Sequence, residues 1–418
     1  MLYRLNELQR ALAAPTVHLA QAAVRMLSEP HGWLARLPGA AQMAAGYELL
    51  YRLHREYPKP EFGIRTVNVS GTEVLVCERA ALSRPFCRLV HFKRYSDDDR
   101  VVAQMRRQPV ALVVAPLSGH HATLLRDTVH ALLSDHDVYI TDWIDARLVP
   151  VGEGSFSLDD YVGYVRYFID HIGPARLHVI AVCQPTVPVL GAVALMAAGG
   201  RPLPRSLTLM GGPIDARQSP TAVNSLATTR PLRWFEDNLL HQVPARYPGR
   251  GRIVYPGFLQ HAGFVSMNPG RHISSHWDFY HDLIQGDLED AEAHRRFYDE
   301  YNAVLDMPAE YYIDCVRIIF QQHLLPRGLW RVAGERVAPK AIENIHLLTI
   351  EGEHDDISGV GQTSAAHALC TGVAPDRKHH LLVEAAGHYG IFSGRRWRDF
   401  VYPRVREFIA TSAAADGS

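Results

Sequence analysis

The chain has 418 residues, 47% of them hydrophobic, enough for a substantial core in one enlarged domain or two. Its 43 Lys and Arg nearly cancel its 44 Asp and Glu, and the formal charge of −1 offers no long-range field for nucleic acid, which argues against a nucleic-acid-binding role. The cysteines Cys77, Cys87, Cys183, Cys315 and Cys370 are odd in number and scattered without a C-x-x-C pair, a pattern of reduced, cytosolic thiols and not of a zinc knuckle or redox dithiol.

The opening "MLYRLNELQRALAAPTVHLAQAAVRML" sets basic residues before an Ala-rich stretch. Glu7 and Arg10 lie inside it and Pro15, His18 and Gln21 interrupt it, so it reads as mature sequence and not as a signal peptide. Residues 1–56 show apolar positions at helical spacing (Leu5, Leu8, Leu12; Leu19, Ala23, Met26; Leu49, Leu50, Leu53) with breaks at Pro30 and Pro38. These helices are expected to pack on the sheet that follows. From Ile64 the pattern turns to alternation: "RTVNVSGTEVLVCERA" predicts a hairpin about Ser-Gly, and "CRLVHFKRY" a further strand.

Six continuous apolar runs come next, separated by helix-length segments: "VALVVAP", "DVYITDW", "LHVIAV", "SLTLMGG", "IHLLTIEG" and "HHLLVEAAG". Continuous runs mean strands covered on both faces, hence an α/β fold with a mostly parallel central sheet entered through an antiparallel hairpin, the strand order of α/β-hydrolases. Between Ile214 and about Ile342 no comparable strand is seen, only aromatic and Pro/Gly-rich sequence. The predicted division is a helical segment over 1–56, a first core part over 57–214, an inserted, mainly helical cap over 215–341, a second core part over 342–412 and a disordered tail over 413–418. No run reaches 18 uninterrupted apolar residues, so no membrane span is expected.

In "LHVIAVCQPTVPVL" a buried strand runs into Cys183 and then into a helix that Pro185 can start, because a missing N–H costs nothing in a first turn. A sharp strand-to-helix corner lifts a nucleophile above the sheet, and a thiol there needs a partner to take its proton. A buried core cysteine is the plainer reading of Cys183 alone. Two later signals favour the nucleophile: "LLTIEGEHDDIS" places Asp355 after a late strand, and "LLVEAAGHYGIF" places His388 after the last one. The order nucleophile, acid, histidine is that of α/β-hydrolases, with Asp215 and then Asp356 ranking behind Asp355 as the acid. At the end of "VVAPLSGHH", Ser118, with Leu117 as its neighbour, is the candidate for one backbone oxyanion donor, and Gln184 is the candidate for the other. "HISSH" sets His272 and His276 at helical ligand spacing but lacks the glutamate and a third ligand, so no metal site is expected.

"VCQPTVPVL", "VYITDW", "GEHDDIS" and "AAGHYGIFSGRRW" together resemble the intracellular poly(3-hydroxybutyrate) (PHB) depolymerases over almost the whole chain. The resemblance implies a cytoplasmic, cofactor-independent esterase, associated with PHB granules, that works on amorphous storage polyester through Cys183, Asp355 and His388. Coenzyme A is an alternative acyl acceptor to water, the granule surface is the expected partner, and a homo-oligomer is compatible with it. Polyhydroxyalkanoate synthases also resemble the chain, but their cysteine sits in a Gly-x-Cys-x-Gly box, where this sequence has Ala181 and Pro185. A granule-coating scaffold would need no such constellation. Cap aromatics, Trp234, Phe258 and Trp277 first among them, are candidates to bind the polymer, as are Phe235, Phe264 and Tyr280.

Overall fold

In the computed structural model, which describes residues 2–29 and 31–414, the apolar runs become strands of one nine-stranded sheet. The hairpin is β1 (Thr66–Val69) and β2 (Thr72–Arg84), followed by β3 (Cys87–Tyr95). The six continuous runs supply β4 (Val110–Val114), β5 (Asp137–Trp143), β6 (Leu177–Val182), β7 (Ser206–Met210), β8 (His346–Gly352) and β9 (Lys378–Val383). Their spatial order is β1-β2-β3-β5-β4-β6-β7-β8-β9. Pairing is antiparallel from β1 through β3 to β5 and parallel from β5 onward. This is an α/β-hydrolase fold with a mostly parallel central sheet. Every residue of β6 and β7 is buried, which is why neither strand alternates in sequence.

At the N-terminus, α1 (Leu2–Ser28) runs through Pro15, and α2 (Ala40–His54) folds back on it. The pair does not pack on the sheet as expected. Arg52 of α2 bonds Asp299 at 2.5 Å, Glu48 meets Arg295 at 3.3 Å, and the Tyr3 hydroxyl donates to Asp306 at 2.7 Å, all in the segment between β7 and β8. A polar row of this kind finds its ionic partners there, where an apolar sheet face would leave it unpaired.

Helix α3 (Leu158–Ile172) is started by Ser157 and Asp160 in a reciprocal capping box and stopped at Gly173. Helix α4 (Thr186–Ala198) follows β6; it is buried from Thr186 to Met196, apolar on every side as befits a helix inside the core. Between β7 and β8 lie α5 (Gly257–Met267), α6 (Pro269–Gln285) and α7 (Leu288–Tyr301), with two shorter helices before them. Three strands of two or three residues, His241–Gln242, Ile253–Tyr255 and Met307–Pro308, pair antiparallel there. They are too short to leave a readable apolar run. Ala413 and Ala414 complete the last helix, α8 (Tyr402–Ala414), where a disordered tail was expected, and positions 415–418 lie outside the described residues. Among the described residues no helix is long and apolar enough to cross a membrane.

Candidate active site

The chain turns from β6 into α4 at Cys183, whose φ of 68° is left-handed, a conformation that costs a residue with a side chain on the order of 1–3 kcal/mol. The turn is held by the Cys183 N–H donating to the Met210 carbonyl at 2.7 Å and by the Thr186 N–H donating to the Cys183 carbonyl at 3.1 Å. Unlike the buried Cys87, Cys315 and Cys370, the Cys183 side chain is half-buried and so within reach of a substrate. It also sits at the N-terminal end of α4, where the unpaired amides of the first turn favour negative charge.

Asp355 and His388, after β8 and β9, meet there. The His388 Nδ1–H donates to Asp355 Oδ2 at 2.7 Å. Asp355 Oδ1 accepts the backbone N–H groups of Ile357 (2.9 Å) and Ser358 (2.8 Å), so the carboxylate cannot rotate without losing bonds on both oxygens. With Nδ1 committed to Asp355, Nε2 is the ring nitrogen left for Cys183. Burial alone would depress the His388 pKa, but the Asp355 and Cys183 charges and its hydrogen bonds to both side chains raise it well above the ordinary histidine value. The other two acids stand apart from the imidazole. Asp215 is clamped by the Arg217 guanidinium at 2.7 and 2.8 Å, and Asp356 is exposed.

Gly211 and Gly212, seen in the sequence only as the end of a strand, are what allow this approach. A Cβ on Gly211 would stand 2.8 Å from Ile391 Cδ1, 3.3 Å from His388 Cε1 and 3.4 Å from Asp355 Oδ2, at a φ of +54°. On Gly212 it would stand 2.3 Å from the Cys183 carbonyl oxygen. Gly211→Ala is therefore expected to destabilise the protein by about 1 kcal/mol or more and to lower ester turnover at least about tenfold by displacing the imidazole. Thermal unfolding and p-nitrophenyl ester assays would measure the two effects, and a variant with unchanged turnover would show that the close approach does not matter.

Ser118 is placed near the corner, yet its N–H is already spent: it donates to Gln184 Oε1 at 3.2 Å. This corrects the assignment of Ser118 as an oxyanion donor, because an amide bonded to a protein carbonyl is not available to a substrate oxygen. The adjoining Leu117 N–H is buried and has no acceptor among the described residues. Gln184 keeps its place directly after the nucleophile.

None of the three cap aromatics first in line to bind polymer reaches His388. Phe258 packs edge-on against Tyr3 of α1 at 5.7 Å, Trp277 is 61% exposed and stacks on Tyr280, and Trp234 lies against Phe235 and Arg230. Phe264 does come close, with its ring 5.1 Å from that of His120. Its α5 neighbour Met267 and the following Asn268 join it, Arg271, Tyr301 and Tyr389 around a cavity of about 30 Å³. That volume holds on the order of one water, and none of Cys183, Asp355 and His388 lines it. His120 Nε2 donates to the Tyr301 carbonyl at 3.1 Å, and burial pushes the ring pKa down to about 4, which keeps it neutral. A larger cavity of about 370 Å³ lies at the other end of β8, beside β9 and α8, and includes none of these residues. His272 is bonded at both ring nitrogens by the Tyr298 and Tyr301 hydroxyls, which accounts for half of the "HISSH" pair.

Residues 211–413, a stretch holding both Asp355 and His388, match the family model described as PHB de-polymerase C-terminus. That stretch, somewhat under half of the chain, is similar to the C-terminal part of PHB depolymerases. Cys183 lies ahead of the matched stretch. A comparison with curated proteins finds no match. Among solved structures, the chain is similar to 2-hydroxy-6-oxo-6-phenylhexa-2,4-dienoate hydrolase of Rhodococcus sp. strain RHA1, at 14% identity over 81% of this chain and 99% of the other with a TM-score of 0.43. It is likewise similar to haloalkane dehalogenase DbeA of Bradyrhizobium elkani USDA94, at 14% identity over 82% and 99% with a TM-score of 0.42. A third is the monoacylglycerol lipase of Paleococcus ferrophilus, at 12% identity over 73% and 96% with a TM-score of 0.42. The matched stretch supports a hydrolase.

Proposed function

We propose that the protein cleaves the ester bonds of poly(3-hydroxybutyrate) in storage granules through a cysteinyl acyl-enzyme. The observation that carries this reading is the bonded Asp355–His388 pair set against a cysteine held at positive φ, in a chain whose residues 211–413 match the C-terminal part of PHB depolymerases. Cys183 Sγ attacks the ester carbonyl carbon while His388 Nε2 takes the thiol proton. The carbon–oxygen bond to the leaving hydroxyacyl group then breaks, and His388 returns the proton to the departing oxygen. In the second half, His388 takes a proton from water as the water oxygen attacks the thioester. The carbon–sulfur bond breaks, Cys183 regains its proton, and a 3-hydroxybutyrate oligomer or monomer leaves as the free acid. Asp355 fixes the ring so that Nε2 faces the thiol and stabilises the imidazolium between the two transfers. No step calls for a cofactor. The cytoplasm, with the granule surface as partner, is the location this substrate implies.

The test is to incubate the purified protein with amorphous poly(3-hydroxybutyrate) granules, with and without coenzyme A, and to identify products by mass spectrometry. Free hydroxy acids without coenzyme A are expected. Hydroxybutyryl-CoA formed only when coenzyme A is present would replace water by a thiol as acceptor. Polymer made from hydroxybutyryl-CoA, with no degradation, would overturn the reading in favour of a synthase.

A further inference from the structure

Cleavage of the polyester through Cys183, the reading on which this inference rests, parts an acyl fragment that stays on sulfur from a leaving hydroxy acid. We propose that Arg271 of α6 is the specificity-determining residue that holds the carboxylate of that leaving hydroxy acid, so that the protein works inward from the carboxyl end of each chain and releases 3-hydroxybutyrate units. The leaving oxygen takes its proton from His388, so the group attached to it begins beside that imidazole. Tyr389 is next in the chain, with its ring centre 5.6 Å from that of His388, and it is also a wall of the cavity of about 30 Å³ that Arg271 lines. Asp356, the residue after Asp355, is another wall. The cavity thus adjoins the bonded Asp355–His388 pair, next to the place where the leaving group starts.

Two features of the cavity select a terminal carboxylate. Size is the first: about 30 Å³ has room for one small group and not for a polyester passing through, so a chain that enters it ends there. Charge is the second. The Arg271 guanidinium is exposed and has no hydrogen-bond or ionic partner among the described residues, which leaves its planar fork open to a carboxylate. Phe264, Met267 and Phe297 add an apolar wall suited to the methyl and methylene groups of the unit. Asp356 is likewise exposed and without a partner, and as a second carboxylate on the same cavity it opposes the one that Arg271 attracts, which favours departure of the product. Burial, then the Tyr301, Cys183 and Asp356 charges, push the Tyr389 hydroxyl pKa well above the ordinary tyrosine value while the Arg271 charge works against them, so nucleophile and guanidinium act on the same hydroxyl. In the reaction the sulfur–carbon bond forms, the ester carbon–oxygen bond breaks, His388 gives its proton to the departing oxygen, and 3-hydroxybutyrate leaves from Arg271. Water then cleaves the thioester and creates a new carboxylate at the end of the shortened chain, the group that the next round needs.

The experiment uses the linear trimer of 3-hydroxybutyrate, with its carboxylate free or capped as the N-methylamide, hydrolysed in water carrying heavy oxygen, with early products identified by mass spectrometry. The oxygen of water enters the acyl fragment. Cleavage next to the free carboxylate gives labelled dimer and unlabelled monomer, and cleavage at the other ester gives the reverse. The wild type is expected to produce labelled dimer and to favour the free trimer over the capped one about 10- to 100-fold in kcat/KM, the worth of a charge-assisted hydrogen bond. Arg271→Gln should bring that ratio to near one through KM for the free trimer, and Arg271→Lys should keep part of it. Asp356→Asn, which removes the opposing carboxylate, should raise the ratio, a change in the direction that mere loss of structure would not give. Labelled monomer from the wild type, equal rates on the two trimers, or an unchanged ratio in Arg271→Gln would overturn the assignment and leave ester cleavage standing. A wild type that cleaves neither trimer would remove the ester-cleaving reading and this inference with it.

Discussion

Replacing Cys183 by Ala is expected to reduce ester cleavage by roughly 10⁴- to 10⁶-fold, the loss found when a nucleophile that works as a unit with its base is removed. The fold should remain. The Cys183 side chain is only half-buried, and its backbone is held by Met210 and Thr186 through main-chain groups that the substitution does not touch. Alanine at a φ of 68° is strained as the cysteine is, so the midpoint of thermal unfolding should change little, and Cys183→Gly, which adopts that φ freely, should unfold at a higher temperature than either. A protein more stable without its reactive group is what a strained nucleophile corner implies. The measurement pairs single-turnover hydrolysis of a p-nitrophenyl ester with thermal unfolding of the three forms. Retention of full activity in Cys183→Ala would remove this residue from the mechanism.

His388→Gln is expected to slow acylation about 10²- to 10⁴-fold, the worth of general acid–base help. Glutamine can still donate to Asp355, so the carboxylate keeps a partner alongside Ile357 and Ser358, but no side-chain group remains to carry the proton between thiol and leaving oxygen. Substrate binding should be almost unaffected, because His388 is 4% exposed and contributes little surface to a ligand. The same substitution has a pH signature. The folded-state pKa of His388 is raised, so its contribution to stability is fully present below the ordinary histidine value and is lost as pH rises through the raised one. The unfolding midpoint of the wild type relative to His388→Gln should therefore fall with increasing pH across that window. Near-normal single-turnover rates in the variant would refute the assignment, and a stability difference flat in pH would show that the imidazolium gains nothing from its neighbours.

Most of the sheet was legible in the sequence because burial on both faces writes itself as uninterrupted apolar runs: all six quoted runs became parallel strands, the last of them, β9, as a largely exposed edge, and the alternating pair became the hairpin. The order of Cys183, Asp355 and His388, each just beyond a strand's carboxyl end, was legible for the same reason, since strands locate the loops that follow them. What sequence alone could not decide was direction within those loops. Asp355 and Asp356 are neighbours of one kind, and it is the Ile357 and Ser358 N–H groups that turn the first inward while the second stays exposed. Ser118 was misread because its N–H is used by a side chain 66 residues away, a hydrogen bond that no local pattern records. Phe258 and Phe264 share α5, yet six positions on a helix with 3.6 residues per turn leave them about 120° apart, so one packs on Tyr3 and the other on His120. Local sequence thus determined the elements and the loops that bear the chemistry. The partners of each polar group and the facing of each aromatic were decided only by the tertiary structure, because both depend on residues distant in the chain.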